Sequence, residues 1–68
     1  MENTIRVRRK QLKLSQAELS ELTAVTRQTI NAIENAKYDP SLELAFKLAS
    51  VLHTTVDNLF DHGVEKHE

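Results

Sequence analysis

Four serine or threonine residues mark the starts of short helices along this chain: Ser15, Thr26, Ser41 and Thr55. A hydroxyl at an N-cap accepts a hydrogen bond from one of the free backbone N–H groups in the first turn of a helix. Ser15 is also followed by Glu18, which completes a capping-box pattern. The chain has one Gly and one Pro in 68 residues, so a turn-dense sandwich or barrel is excluded. These signals predict an all-α protein.

The apolar periodicity between the caps predicts five helices, over residues 4–13, 16–23, 27–35, 42–53 and 56–60. We expect Leu19, Leu22 and Thr23 to face the core from the second helix, and Ile30 and Ile33 from the third. The fourth helix is apolar over more than half of its circumference, so it lies centrally or contacts a partner.

The predicted organisation is one compact five-helix domain over residues 1–60, followed by a polar tail over residues 61–68. The chain has no cysteine, which excludes disulfides and thiolate metal sites. No apolar run approaches the roughly 20 residues of a membrane span, and a signal-peptide core is missing. We therefore expect a cytoplasmic protein that does not enter a membrane.

Catalytic interpretations find little support. The three histidines, His53, His62 and His67, lack the spacing of a metal site. The sequence has no Gly-rich phosphate loop, and so short a chain buries too thin a core to enclose a substrate cavity. We expect neither enzyme activity, nor a cofactor, nor a metal, nor a domain for a small-molecule ligand.

Charge is divided unevenly along the chain. The formal net charge is −1, which by itself argues against binding to nucleic acid. However, residues 1–37 contain seven of the nine basic residues and four of the ten acidic ones, and the stretch from Arg6 to Lys13 has five cations and no acid. This asymmetry is typical of a protein with one end facing a polyanion, although a solvated charged helix face is the alternative.

The predicted third helix has an unusual outer face. Its amide and guanidinium side chains lie together on the side opposite Ile30 and Ile33, and Ala32 in their middle permits close approach of a large partner. Two short helices joined by a tight turn, with a polar outer face on the second, form a helix-turn-helix. In that motif the second helix lies in the major groove of DNA, led by its N-terminal residues.

The sequence of this region resembles the phage repressor and Cro type of helix-turn-helix, the XRE family. The resemblance rests on LSQAEL at residues 14–19, VTRQTINAIEN at residues 25–35, and the continuation through KY, PSLELA, KLA and LF to residue 60. It covers nearly the whole chain and implies a lambda repressor-like domain. Such domains bind palindromic operators in double-stranded DNA, usually as homodimers, and we expect a transcriptional regulator that acts as a repressor.

The resemblance also implies roles by position. Gln28 is expected to pair with adenine, and Arg27 to pair with guanine or, alternatively, to bind a phosphate. Thr29 offers a methyl group to thymine or a hydroxyl to a phosphate, and Ala32 is a further expected base contact. The expected phosphate contacts are Arg8, Gln16, Thr26, Asn31, Asn35 and Lys37. Arg9 and Glu34 match positions that form a partly buried ion pair in the family; the alternative is that both are solvated.

The sequence departs from the family at two positions. Ala24 and Ala36 stand where the family usually has glycine, in the inter-helix turn and after the recognition helix. If both positions keep a positive φ, each alanine costs roughly 1 kcal/mol.

The surplus apolar residues Phe46, Val51 and Phe60 are the expected dimer contacts, with core filling as the alternative for both phenylalanines. Two other functions stay open: the antitoxin of a toxin–antitoxin pair, and a protein-interaction module on the same fold. The second would more often expose an apolar face than an Arg/Gln/Asn one.

Overall fold

Five helices and a pair of two-residue strands make up the fold. The computed structural model describes residues 1–61. In chain order the elements are β1 (Glu2–Asn3), α1 (Ile5–Gln11), α2 (Gln16–Thr23), α3 (Arg27–Glu34), α4 (Leu42–Val51), α5 (Val56–Leu59) and β2 (Phe60–Asp61). The prediction of a five-helix domain is confirmed. Within residues 1–61, none of the helices is both long and apolar enough to cross a membrane.

All four predicted N-caps form. The Ser15 hydroxyl accepts from the Glu18 N–H at 2.9 Å, and the Glu18 carboxylate accepts from the Ser15 N–H at 2.8 Å, so the capping box is complete. The other three caps are Thr26, Ser41 and Thr55. The hydroxyl of each accepts a hydrogen bond from the backbone N–H three residues later. Because these bonds join residues only three apart, the start of each helix is specified locally.

Four helices end in the same kind of left-handed turn, and none of these turns uses glycine. The residue with positive φ is Lys13 after α1, Ala24 after α2, Ala36 after α3 and His53 after α4, with φ values from 59° to 61°. In each turn the N–H of the following residue reaches back five positions to a helical carbonyl, at 2.9 to 3.0 Å. The turns explain why α1 and α4 end two residues earlier than the sequence pattern predicts.

Replacing alanine by glycine in these turns is expected to stabilise the fold. Ala24 and Ala36 both keep the positive φ considered above, and a Cβ disfavours that conformation by about 1–2 kcal/mol. Glycine also increases the entropy of the unfolded chain, which offsets roughly 0.4–1 kcal/mol of the gain. We expect Ala36→Gly to raise the free energy of unfolding by about 0.5–1 kcal/mol, measured by chemical denaturation.

Ala17 supplies the matched control for that measurement, since it is an exposed alanine inside α2. The same change there removes a helix former from a right-handed turn, so Ala17→Gly should lower stability by up to roughly 1 kcal/mol. Opposite signs at the two positions would establish that backbone conformation is the cause. Loss of stability at both would contradict the expectation.

The core takes side chains from all five helices. Its fully buried members are Ile5, Leu19, Ile30, Ile33, Leu48, Leu52, Leu59 and Thr23. The inward prediction is confirmed for Thr23, whose hydroxyl donates to the Leu19 carbonyl at 2.8 Å. It is wrong for Leu22, which is 57% exposed, because α2 buries only the side that faces α3 and α4.

Phe60 is also a core residue, at 4% exposure. The expectation that it contacts a dimer partner is therefore wrong, and the alternative of core filling is correct. The physical reason is the strand pair that the sequence analysis missed: β2 runs antiparallel to β1, with Asn3 opposite Phe60 and Glu2 opposite Asp61. This pairing extends the chain at Phe60, where the sequence pattern predicted helix, and holds the ring against the core.

The predicted polar tail falls largely outside the described residues. Asp61 belongs to β2, while residues 62–68 lie beyond the described part of the chain.

Candidate nucleic-acid interface

Helices α2 and α3 form the predicted helix-turn-helix. Only Ala24, Val25 and Thr26 separate them. The left-handed Ala24 reverses the chain, and the Val25 N–H donates to the Ser20 carbonyl at 3.0 Å. Leu19 from α2 and Ile30 from α3 are both fully buried. The two helices are thereby held at a fixed relative orientation, with the opposite side of α3 left to solvent.

Four polar residues surround one shallow depression on this exposed side. Gln16 comes from the first turn of α2, while Arg27, Gln28 and Asn31 come from α3; we call these four residues the recognition surface. Arg27, Gln28 and Asn31 are exposed, and Gln16 is partly buried. The structure thus brings together one expected phosphate contact of α2 with the two residues expected to contact bases most specifically.

The first turn of α3 is tied together by its own hydroxyls. Thr26 accepts from the Thr29 N–H at 3.1 Å, and the two hydroxyls share a further hydrogen bond of 2.9 Å. Thr29 and Ala32 are partly buried, whereas Lys37 is exposed just beyond the end of α3. The leading turn is therefore ordered before any ligand is bound.

The predicted ion pair between Arg9 and Glu34 is confirmed. Arg9 Nε donates to one carboxylate oxygen of Glu34 at 2.7 Å, and Arg9 Nη2 donates to the other at 3.3 Å. The arginine side chain is 10% exposed and the glutamate side chain 0%. The pair joins α1 to the last turn of α3, so it anchors α3 at its C-terminal end, opposite the leading turn.

Glu34 binds two further donors that the sequence analysis did not assign to it. Gln16 Nε2 donates to its Oε1 at 3.0 Å, and Arg6 Nε donates to the same oxygen at 3.3 Å. Burial alone would raise the pKa of Glu34, but the hydrogen bonds from Arg9 and Gln16, the charge of Arg9 and the hydrogen bond from Arg6 together outweigh it and lower that pKa. Glu34 is thus an anion that links α1 and the start of α2 to the last turn of α3.

Asn35 is a second residue with internal partners. Its Oδ1 accepts from Arg6 Nη2 at 2.9 Å, and its Nδ2 donates to the Asn31 carbonyl at 2.9 Å. Asn31 and Asn35 were both expected to contact phosphates, and both side chains remain exposed. A hydrogen-bonded line therefore runs from Arg6 through Asn35 to Asn31 at the recognition surface.

The position of Arg8 corrects one expectation. Its guanidinium donates to the Leu52 carbonyl at 3.1 and 3.2 Å and to the His53 carbonyl at 2.9 Å. These carbonyls lie at the end of α4, where a cation is favourable because the helix dipole is negative there. Arg8 caps a helix on a different side of α1 from Arg9, so we withdraw it as a phosphate contact.

Metal binding by histidine can be assessed only at His53, which is the histidine within residues 1–61. Across the described residues, no group of three His, Cys, Asp or Glu side chains is suitably placed. His53 occupies the left-handed turn after α4. His62 and His67 lie outside the described residues.

Comparison with known proteins identifies the class to which this fold belongs. Residues 5–59 match the helix-turn-helix family. The chain is also 43% identical over 60 residues to an uncharacterized HTH-type transcriptional regulator of Methanocaldococcus jannaschii, covering 88% of this chain and 91% of the relative. The chain belongs to the helix-turn-helix family.

Solved structures agree with this assignment. The DNA-binding domain of the P22 c2 repressor superposes with a TM-score of 0.78 at 30% identity, over 94% of this chain and 84% of that one. The N-terminal DNA-binding domain of SinR from Bacillus subtilis superposes with a TM-score of 0.76 at 34% identity, over 94% of this chain and 90% of that one. Hydroxypropylphosphonic acid epoxidase from S. wedmorenis superposes with a TM-score of 0.79 at 28% identity, but this chain spans only 34% of that enzyme.

Proposed function

We propose that this protein is a sequence-specific DNA-binding transcriptional regulator that acts as a repressor. The observation that supports it most is the recognition surface: amide and guanidinium groups on the leading half of α3, beside the start of α2. With α3 in the major groove, these groups face base edges while the start of α2 faces the backbone. A regulator needs no catalytic group, and we propose no enzyme activity.

Base recognition is assigned to Arg27 and Gln28. Both are exposed in the first turn of α3. The Nε2 of a glutamine amide can donate to adenine N7 while its Oε1 accepts from the adenine N6 amino group, whereas an arginine guanidinium donates to guanine O6 and N7. Thr29 and Ala32 are proposed to make the smaller base contacts.

Phosphate contacts are proposed for Asn31 within α3 and for four residues outside it: Gln16, Thr26, Asn35 and Lys37. Gln16 is the first residue of α2, where free backbone N–H groups and the positive end of the helix dipole favour an anion. These contacts position the domain without reading the base sequence.

The two alternative functions have less support. The relatives are described as transcriptional regulators, and the solved neighbours include DNA-binding domains of repressors. A protein-interaction module would also not need the polar groups that line the recognition surface. Both the antitoxin and the interaction-module hypotheses are therefore set aside.

Titration with DNA tests the proposal. Purified protein is added to the DNA upstream of its own gene, and to a scrambled fragment of equal length and composition, at several salt concentrations. We expect tighter binding to the native fragment and a linear fall of log K with log salt, by about 0.9 for each phosphate neutralised. Equal affinity for the two fragments at every salt concentration would contradict a sequence-specific regulator.

We further propose that two copies bind together through the exposed face of α4. Leu42 and Phe46 lie one helical turn apart on α4 and are 69% and 59% exposed. An apolar groove lined by Met1, Pro40, Leu42, Ala45, Val56 and Phe60 lies beside them. Val51 is partly buried and contributes less than predicted. Leu42 therefore replaces Phe60 as the partner of Phe46 in the proposed contact.

A second copy is the proposed occupant because this face is self-complementary. Glu43 and Lys47 are exposed beside the two apolar residues, also one turn apart. In a two-fold contact, if one residue contacts a second residue of the other copy, the reverse contact is made as well. Antiparallel α4 helices therefore place Glu43 of each copy near Lys47 of the other. The same symmetry matches a palindromic operator.

Charge exchange gives a direct test of this contact. Lys47→Glu places like charges across the two-fold axis, so we expect weaker self-association by sedimentation equilibrium, and the double variant Glu43→Lys with Lys47→Glu should restore it. Phe46→Ser should weaken association as well. Leu22→Ser removes an equally exposed apolar side chain from α2 and serves as the control. A monomer at all concentrations, or equal effects of Leu22→Ser and Phe46→Ser, would overturn the α4 interface.

A further inference from the structure

The structure gives Arg6 a defined position beside the end of α3. Its Nε donates to Glu34 at 3.3 Å and its Nη2 donates to Asn35 at 2.9 Å. Asn35 is the C-cap of α3 and is a proposed phosphate contact. Arg6 therefore extends from α1 to the edge of the proposed DNA surface, on the side opposite the leading turn of α3.

Glu34 does not depend on Arg6 for its hydrogen bonds. Arg9 donates to both of its carboxylate oxygens, and Gln16 donates to Oε1. Arg6 is thus the third donor to Oε1, at one of the two longest distances in the cluster. Removing Arg6 leaves Glu34 with three hydrogen bonds and a full counter-charge.

Charge and exposure distinguish the two arginines. One carboxylate faces two guanidinium groups, so one positive charge in the cluster is not neutralised. The Arg9 side chain is 10% exposed, whereas that of Arg6 is 47% exposed. The excess charge is consequently available at Arg6, where solvent and a ligand can reach it.

From these observations we infer that Arg6 is a further DNA-binding residue, which exchanges its contact with Glu34 for a phosphate on the DNA backbone. The inference rests on the proposed function. A phosphate offers a guanidinium the same bidentate geometry as a carboxylate, and Glu34 keeps Arg9 as its partner after the exchange. In the free protein, Glu34 and Asn35 hold the Arg6 guanidinium close to its binding position.

The test compares salt dependence among variants of the whole chain. Arg6→Met removes the charge and keeps the apolar stem, so log K against log salt should become shallower by about 0.9 per bound copy. Between 50 and 200 mM salt, the binding deficit of Arg6→Met relative to the unmodified protein should then shrink about 3.5-fold per copy. The loss should be the same for the native and scrambled fragments, because phosphate contacts are independent of sequence.

Two further variants separate a phosphate contact from other causes. Asn58→Asp also lowers the net charge by one, but at an exposed residue of α5, and it should leave the salt slope unchanged. Arg6→Lys retains the charge and should retain the slope, even though it loses the two-point contact with Glu34 and Asn35. Thermal unfolding of Arg6→Met should stay close to that of the unmodified protein, since the Arg6 side chain is half exposed and Glu34 keeps Arg9 as its counter-charge.

An unchanged slope for Arg6→Met, or an equal reduction for Asn58→Asp, would overturn the inference while leaving the regulator proposal intact. A reduction for Arg6→Lys equal to that for Arg6→Met would also overturn it, because the role of Arg6 would then be structural. Equal binding of the native and scrambled fragments by the unmodified protein is a separate result that contradicts the proposed function.

Discussion

Glu34→Gln is expected to lower the free energy of unfolding by about 3 kcal/mol, because it leaves the Arg9 guanidinium buried without a counter-charge. The substitution keeps the size of the side chain, so packing is conserved and charge is the variable. The Arg9 side chain is 10% exposed and cannot turn readily to water. For a domain of this size the loss corresponds to a fall in Tm of roughly 12–24 °C, measured by circular dichroism.

Glu21→Gln is the matched control, since Glu21 is an exposed glutamate on α2. Substitutions at such surface positions usually change stability by less than about 0.5 kcal/mol. Equal stabilities of the Glu34 and Glu21 variants would show that the ion pair does not support the fold.

The same variant should also alter the dependence of stability on pH. The pKa of Glu34 is lowered in the folded protein, so folding favours the ionised form. This stabilisation is fully present above the ordinary glutamate pKa of about 4.3 and is lost as the pH falls through the lowered pKa of the folded state. We expect the difference in stability between the unmodified protein and Glu34→Gln to be constant near neutrality and to narrow below about pH 4. A difference that stays constant through acid pH would contradict the assignment.

Gln28→Ala is expected to remove preference at one base pair in each half-site. A bidentate pair between an amide and adenine contributes about 1–3 kcal/mol of discrimination, which is roughly a 5- to 150-fold loss of affinity for the native fragment. Binding to the scrambled fragment should change little, since phosphate contacts remain. Competition binding against a set of single-base variants of the native fragment measures the effect position by position.

Gln11→Ala is the control for that experiment, because Gln11 is an exposed glutamine at the end of α1. Its loss should leave both affinity and base preference unchanged. An intact base preference in Gln28→Ala would show that another residue, with Arg27 as the first candidate, recognises the base sequence.

The starts of α2 to α5 were predictable because each depends on residues three positions apart. A Ser or Thr hydroxyl and the N–H it binds belong to the same turn, so Ser15, Thr26, Ser41 and Thr55 needed no tertiary information. The exposed face of α3 followed equally directly, because a period of 3.6 residues separates Ile30 and Ile33 from the polar side. The family resemblance and the proposed role of Gln28 rest on this same local pattern.

The roles of the basic residues in α1 depended on contacts that sequence spacing does not reveal. Arg8 and Arg9 are neighbours in the chain but point about 100° apart around a helix, so one caps the end of α4 and the other binds Glu34. Arg6 meets Glu34 and Asn35 only because α1 packs beside the last turn of α3. Helix packing therefore decides which arginine of α1 is available to bind a DNA phosphate.

The sequence by itself determined where α2 to α5 begin and which side of α3 is polar, because capping and helical periodicity act within one or two turns. The folded chain determined the burial of Phe60, the exposure of Leu22 and the partners of Arg6, Arg8 and Arg9. Each of these depends on residues that are far apart in sequence. The pairing of Asn3 with Phe60 is the extreme case, since two-residue strands have no alternation of their own, and only closure of nearly the whole chain brings them together.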